Sequence, residues 1–341
     1  MSSPRQLPIT AERSIKILPV AFDSFGVKAM CTRITTPDLT LVIDPGVSAQ
    51  TEHFPLPENI RQQLLTRYAQ EVNNATADAP VLIITHYHID HFFFHREPAI
   101  YAGKIIFAKS LDDLPKKQVE TAERFFPMID GLPKEIIWAD GRRFKFKKTE
   151  IRFSPAIWHG RAEAEPGRVI MTEVSRGREK VLISSDIAGP ADEKTTQLIL
   201  ATAPQVAILD GYPTFLLPTP STEPNFLKSI INLCQILSLP SLHTLVIDHH
   251  LARDYRYPAL IKPVYQLAAK MKKKFGTAAE IIGRKSLVLQ GLGEYGTTRW
   301  QRWYPLDLEN LRLGIQNAIN QKKLSADWLK KFDWLAETIL K

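Results

Sequence analysis

The sequence predicts a layered α/β fold for this chain of 341 residues. Short runs of apolar and β-branched residues, typical of strands, occur in two groups along the chain, and helical patterns lie between several of them. The composition, with 44% hydrophobic and 23% charged residues, is that of a globular protein. It excludes disorder, a collagen-like repeat and a coiled coil as the main architecture.

The first group of predicted strands surrounds one helix. Turn-forming residues such as Asp44-Pro45-Gly46 bound the runs. The helix is predicted over residues 57–75, where Ile60, Leu64 and Tyr68 recur at helical spacing. The predicted strands of this group are residues 14–21, 28–35, 39–44, 81–84 and 104–108.

The second group alternates strands with helices, which favours a mainly parallel sheet with helices packed on it. Its predicted strands are residues 144–153, 168–174, 180–185, 206–209 and 245–248. Its predicted helices, together with one that precedes it, are residues 113–124, 193–201, 223–237 and 259–274. A further strand-like run at 286–290 precedes a G-x-G-x-x-G match, but no helix start follows it, which disfavours dinucleotide binding.

The C-terminal residues predict a separate helical tail. Leu308, Leu311 and Ile315 form one apolar stripe, and Trp328 and Phe332 belong to a second. Such stripes indicate a surface that docks on the core, with a homo-oligomer contact as the alternative. We therefore expect a main domain over residues 1–300 and a helical tail over 301–341.

One motif carries metal chemistry. The apolar run Val81–Ile84 leads into Thr85, and His86, His88, Asp90 and His91 follow within six residues. Two histidines separated by one residue at a strand end can turn toward the same point, and neutral imidazole is a common ligand for Zn²⁺. Asp90 and His91 can address a second metal beside the first, so this segment predicts a metal site.

With this H-x-H-x-D-H motif the chain resembles the metallo-β-lactamase superfamily of metallohydrolases. The resemblance implies a four-layer αββα sandwich, here followed by the C-terminal helical extension. Further elements of the family pattern occur in the expected order, each at the end of a predicted strand. They are Asp44, His159, Asp186 and the pair His249-His250.

The resemblance implies a site for two divalent metal ions. His86, His88 and His159 would hold the first ion, and Asp186 would bridge the two. Asp90, His91 and His249 would hold the second, with His250 as an alternative ligand or a residue near substrate. Asp44 would hydrogen-bond behind the ligands, which fixes their orientation. Asp90 and Asp186 are the expected catalytic residues, serving a hydroxide shared by the two ions.

Variations within the pattern narrow the class. His88 stands where the di-iron flavoprotein branch has Glu, which favours zinc over a redox role, with Mn²⁺ or Fe²⁺ as alternatives. Asp186 stands where zinc β-lactamases commonly carry Cys, which disfavours β-lactam cleavage. The gap from Asp186 to His249 is too short for the large cap of some family nucleases. Several motifs, among them Asp44-Pro45-Gly46-Val47 and Asp248-His249-His250-Leu251, are similar to a poorly characterised archaeal branch.

Substrate and partners are less constrained than the site. The net charge of +8 favours an anionic small-molecule substrate, with a phosphoester as the leading hypothesis. A nuclease acting on RNA or DNA is the alternative, motivated by the basic run 270–274 and the mixed basic and aromatic residues 299–304. A non-catalytic binding protein would require a lost ligand, and all seven are present. Tyr212, Thr214 and Arg253 are candidates for substrate contact.

Location follows from the termini, the apolar runs and the cysteines. The N-terminus lacks the pattern of a signal peptide, and no apolar run approaches membrane-spanning length. Cys31 and Cys234 are too few for a disulfide framework. We therefore expect a cytoplasmic protein without a membrane partner.

Overall fold

A computed structural model describes residues 14–93, 98–160, 166–217, 223–298 and 306–341 of the chain. Seventeen strands lie within these residues. They are β1 Lys16–Phe22, β2 Val27–Lys28, β3 Met30–Thr35, β4 Thr40–Ile43, β5 Ser48–Ala49, β6 Val81–Ile84, β7 Ile105–Ala108, β8 Glu135–Trp138, β9 Arg143–Phe146, β10 Thr149–Phe153, β11 Ile157–Trp158, β12 Arg168–Val169, β13 Thr172–Arg176, β14 Glu179–Ile183, β15 Val206–Leu209, β16 Thr244–Ile247 and β17 Lys274–Gly276.

Ten α-helices lie within the same described residues. They are α1 Glu58–Thr76, α2 Lys116–Met128, α3 Glu193–Thr202, α4 Glu223–Leu237, α5 Tyr257–Leu260, α6 Lys262–Lys270, α7 Ala278–Ile281, α8 Leu287–Tyr295, α9 Leu308–Asn320 and α10 Asp327–Leu340. Each of them is too short or too polar to cross a bilayer.

Two sheets form the centre of the fold. The first contains six strands in the order β1-β3-β4-β6-β7-β8, and the second contains seven in the order β17-β16-β15-β14-β13-β10-β9. Each sheet has an antiparallel part and a parallel part. The parallel parts run through β4, β6, β7 and β8 in the first sheet and through β14 to β17 in the second. Parallel neighbours need crossover connections, which α1, α3 and α4 provide.

Strand β14 shows how the second sheet separates two cores. Val181 and Ile183 belong to a core that also contains Ile83 and Phe107 of the first sheet. Leu182, which points to the opposite face, belongs to a second core with residues of α3, α4 and α6. Because side chains of α1 and α2 also join the first core, the layers run helix, sheet, sheet, helix. The αββα prediction is confirmed.

The C-terminal helices complete the second core. Leu311 and Ile315 of α9 and Phe332 of α10 are buried there, with Trp328 beside them. These residues pack with α4 and α6 of the same chain. The two apolar stripes are therefore covered from within the chain. The boundary at residue 300 lies within 299–305, outside the described residues, and stays a prediction.

Some predicted elements differ from the structure. The predicted strand at 28–35 is interrupted between β2 and β3, and the one at 144–153 is a hairpin whose turn places Lys147 at φ 54°. The strand predicted at 286–290 is wrong, because those residues begin α8. The helix predicted at 259–274 is divided into α5 and α6 and ends in β17.

Candidate metal centre

The carboxyl ends of the parallel strands position the site. Asp44 follows β4, His86 comes two residues after β6, and Asp186 follows β14 by three residues. His249 follows β16 by two residues and is completely buried, as are Asp44 and His86. Because parallel strands end at the same edge of a sheet, and the two sheets face each other, these side chains from both sheets converge.

The loop after β6 presents the histidine motif. The His91 amide donates a hydrogen bond to the His88 carbonyl, which closes a tight turn between them. The Tyr87 amide donates to the side chain of Gln118 on α2, so the loop is tied to that helix. Gly46 lies against the backbone of residues 90–92, where a side chain would collide. The loop is thus held from two sides.

The first group of potential ligands consists of His86, His88, His159 and Asp186, whose ligand atoms all lie within 4.8 Å of one another. Nε2 of His86 lies 3.0 Å from Nδ1 of His88. Oδ2 of Asp186 lies 3.1 Å from Nε2 of His159 and 3.5 Å from Nε2 of His86. Three imidazoles and a carboxylate oxygen therefore face one small volume.

The second group consists of Asp90, His91 and His249, also within 4.8 Å. Nε2 of His91 and Nε2 of His249 are 3.3 Å apart. Oδ1 of Asp186 lies 3.3 Å from the former and 3.5 Å from the latter. The two carboxylate oxygens of Asp186 therefore face different histidine groups.

The residues present fit metal ions. Oδ1 of Asp186 is buried and has no hydrogen-bond partner among the described residues, although two imidazole nitrogens face it. A buried carboxylate oxygen without a partner is costly unless a cation or proton satisfies it. Imidazole nitrogen with carboxylate oxygen is the donor set of divalent transition metals. The family binds metal ions, and this cluster can hold them.

Carboxylates and hydroxyls orient the ligands from behind. Oδ2 of Asp44 lies 2.9 Å from Nδ1 of His91, and Oδ2 of Asp23 lies 2.7 Å from Nδ1 of His249. The hydroxyls of Thr85 and Ser185 each lie 3.2 Å from Nδ1 of His86. In each ring the Nδ1 atom is occupied by the protein, which leaves Nε2 directed at the cluster.

His250 occupies a different place from His249. Its Nδ1 lies 2.8 Å from Oδ2 of Asp210, and its Nε2 lies 3.4 Å from Oδ2 of Asp186. It lines the cavity beside the cluster, whereas the preferred candidate, His249, faces His91 and Asp90. The geometry therefore favours His249 as a ligand of the second group and places His250 next to the first.

Electrostatics favour cation binding. Burial lowers the pKa of His86 to about 4 and that of His88 to about 2, so both rings are neutral at pH 7, the form that binds metals. Burial opposes ionisation of Asp186, but the surrounding histidines hold its pKa well below the ordinary value. Burial also opposes protonation of His249, yet Asp186 and Asp23 raise its pKa to about 10. The cluster therefore attracts positive charge.

Three site residues adopt a backbone conformation that is rare outside glycine. Asp44, Ser185 and His249 have φ values of 50°, 57° and 27°. Such left-handed conformations cost free energy and persist where the surrounding structure enforces them. Here they turn the chain sharply at the ends of β4, β14 and β16, which directs the following side chains across the site.

A cavity of about 260 Å³ opens onto the cluster. Lys28 of β2 and Ser48 of β5, which pair across the two strands, lie on its wall with Arg253. Ile89, 56% exposed, lies there too. Of the three predicted substrate contacts, Arg253 alone is among the residues that line it within the described chain. The cavity's remaining lining residues are His88, Asp90, His159, Asp186 and His250.

Tyr212 and Thr214 are placed elsewhere. The Tyr212 ring lies 5.5 Å from that of Phe226, and the Thr214 carbonyl accepts a hydrogen bond from Arg256. Both residues are buried. Their positions in the second core assign them packing roles.

Asp23 and Asp210 were not recognised from the sequence as site residues. Asp23 was interpreted as a turn former, and its contact with His249 spans 226 positions. A usable signal exists for Asp210, because it follows β15 directly, as Asp44 and Asp248 follow β4 and β16. An Asp after each of several parallel strands indicates that these carboxylates meet.

Comparison with known proteins places the chain in a family. Residues 26–141 match the model of the metallo-beta-lactamase superfamily. A UPF0282 protein of Metallosphaera sedula is 35% identical over 283 residues, covering 81% of this chain and 90% of that protein. A UPF0282 protein of Korarchaeum cryptofilum is 31% identical over 304 residues, covering 87% and 98%. Unliganded yeast PDE1 aligns with a TM-score of 0.48 at 10% identity, over 78% of this chain and 97% of that structure. The predicted resemblance is confirmed, and the chain belongs to the archaeal UPF0282 family within the metallo-beta-lactamase superfamily.

Proposed function

We propose that the protein is a hydrolase with a binuclear metal site, zinc being the favoured metal. The observation that carries the proposal is the position of Asp186, whose Oδ2 faces His86 and His159 while its Oδ1 faces His91 and His249. One carboxylate between two groups of histidines suits two neighbouring cations better than one. His86, His88 and His159 would hold the first ion, and Asp90, His91 and His249 the second.

Two bound divalent ions would lower the pKa of water and polarise the bond to be cleaved. The chain's own residues do the rest. Asp44 and Asp23 hold His91 and His249 in one ring orientation through Nδ1. Asp90 lies at the cavity wall and is ionised, because nearby His91, His249 and Arg253 lower its pKa against the effect of burial. It is therefore placed to accept a proton during attack on the substrate.

The cavity supports an anionic ester as substrate. Lys28 and Arg253 offset the charges of Asp90 and Asp186, so two divalent ions would leave the cavity strongly positive. Ile89 adds an exposed apolar surface at the same wall. A phosphoester with an apolar or aromatic alcohol group fits both features. This substrate class also agrees with the net charge of +8.

The test combines metal analysis with a substrate panel. Elemental analysis of the zinc-loaded protein should give about two ions per chain. The loaded protein should hydrolyse at least one member of a panel of nitrophenyl phosphomonoesters, phosphodiesters, carboxylic esters, lactones and thioesters. His88→Ala should lose this activity. The control is His53→Ala, because the His53 side chain is 42% exposed and lies outside the cluster. A protein that binds no metal under any loading condition would refute the proposal.

The nuclease alternative has less support within the described residues. Residues 299–304 lie outside them. In the basic run, Lys273 donates to the carbonyls of Leu237 and Leu239, and Lys270 donates to that of Ile339. These lysines bind the chain's own carbonyl groups. A single-stranded RNA added to the substrate panel tests the alternative directly, because nuclease activity would release shorter products.

A further inference from the structure

Arg253 places a fixed positive charge against the second group of ligands. Its Nη2 lies 3.2 Å from Oδ2 of Asp90 and 3.1 Å from Nε2 of His249. The first group has a different environment. The described polar contacts of His86, His88 and His159 are with hydroxyls, with one another and with Asp186. The two groups therefore differ by one neighbouring guanidinium.

The guanidinium is anchored rather than free to swing away. Nε of Arg253 donates to Oδ1 of Asp23 at 2.8 Å, and Asp23 is completely buried. The side-chain amide of Gln50 donates to the same carboxylate, as does the amide of Ala29. Because Asp23 also orients His249, moving Arg253 would disturb a ligand's support. The residue follows His250 closely, in a short 3₁₀ helix Leu251–Arg253.

We propose that Arg253 makes the two metal positions unequal, so that the ion held by Asp90, His91 and His249 binds more weakly than the ion held by His86, His88 and His159. The proposal rests on the binuclear site proposed above. The physical reason is that a cation close to Asp90 and His249 repels a divalent ion there and shares the Asp90 carboxylate with it. The first position lacks this competition.

A charge series at position 253 separates this role from a purely structural one. Arg253→Gln removes the charge but keeps a hydrogen-bonding side chain. Arg253→Lys keeps the charge but loses the planar guanidinium. If charge controls the second position, Gln should raise its affinity and Lys should leave it weak. If Arg253 only supports the local structure, both variants should change the affinity in the same direction.

The measurement is competition for Zn²⁺, and separately Mn²⁺, between each protein and a chromophoric chelator. The wild-type protein should bind two ions in two steps whose dissociation constants differ by about tenfold or more, the scale on which neighbours of metal ligands act. Arg253→Gln should narrow that difference by about tenfold, and Arg253→Lys should preserve it. Circular dichroism and the melting temperature of the metal-free variants check their folding.

Each outcome is informative. Two equal steps in the wild-type protein would overturn the inference while leaving the binuclear hydrolase intact. A wild-type protein that binds one ion supports the inference if Arg253→Gln binds two, and overturns it if Arg253→Gln also binds one. If Arg253→Gln fails to fold, the wild-type steps and the Lys variant still decide. Failure of every protein to bind any ion would instead refute the proposed function.

Discussion

Asp23 and His249 are separated by 226 positions in the chain, yet Oδ2 of Asp23 lies 2.7 Å from Nδ1 of His249. The contact joins the turn after β1 to the end of β16, and so connects the first sheet to the second. It fixes the imidazole with Nε2 toward Asp90 and His91. A residue that no local motif marks therefore supports a ligand.

Replacing Asp23 by alanine should weaken one metal position. Without the carboxylate, the His249 ring loses its orientation and Nε2 becomes less basic, so we expect the affinity for one ion to fall about 10- to 100-fold. Chelator competition measures this change. Asp130→Ala, which removes an exposed carboxyl group elsewhere, is the control and should leave both affinities unchanged. An Asp23→Ala protein with wild-type metal affinity would contradict the role given to this contact.

Lys28 should affect substrate binding more than turnover. It lies on the cavity wall opposite Ser48 in the β2–β5 pair and makes no contact that would orient a metal ligand. With an anionic substrate, Lys28→Met should raise KM by about tenfold, the scale of one hydrogen bond to a charged group, with kcat little changed. Lys28→Arg should recover most of the loss. Lys16→Met on β1, also a lysine in a strand but outside the cavity, should behave as wild type.

A methyl group at Gly46 should disturb the metal loop. The added Cβ would collide with the amide of Phe92 and with the carbonyl oxygen of Asp90. Because both atoms belong to the backbone of the ligand loop, we expect Gly46→Ala to lower the free energy of unfolding by about 1–3 kcal/mol and to reduce metal content.

Gly293 provides the matched comparison for this variant. It lies in α8, and an added Cβ would meet no other atom within 4 Å. Alanine favours a helix over glycine, so Gly293→Ala should stabilise the protein slightly or leave it unchanged. Urea titration of both proteins measures the difference. Equal effects of the two substitutions would show that the loop tolerates displacement.

The tail helices should contribute strongly to stability. Phe332 of α10 is 4% exposed and lies in the second core, so Phe332→Ala should cost about 3–5 kcal/mol. Leu313 of α9 is 57% exposed, and Leu313→Ala should change stability by less than about 0.5 kcal/mol. Denaturant unfolding measures both. A small effect at Phe332 would indicate that the tail is docked only weakly.

The local part of the site was visible in the sequence because its residues are close together in the chain. His86, His88, Asp90 and His91 follow one buried strand, and the spacing itself predicts a shared metal. Asp186 and His249 required the family pattern to be singled out. Asp23 and Asp210 remained hidden, because each is a lone carboxylate whose role arises only when strands from distant parts of the chain are brought together.

The errors in secondary structure have similar causes. The apolar run at 286–290 fits a buried strand or a helix segment equally well, and packing decides the outcome. In the structure it begins α8, with Gly291 pressed against the Pro55 carbonyl. The hairpin of β9 and β10 turns at Lys147, a residue that seldom marks a turn, so a single strand was expected.

The placement of the ligands on both sheets has a consequence for the order in which the protein is made. His91 leaves the ribosome 158 residues before His249, the residue whose Nε2 it faces at 3.3 Å. An ion that meets the emerging chain early would find histidines without their partners from the second half. Complete loading therefore requires a finished chain, and a fully metallated protein is one whose two halves have already joined.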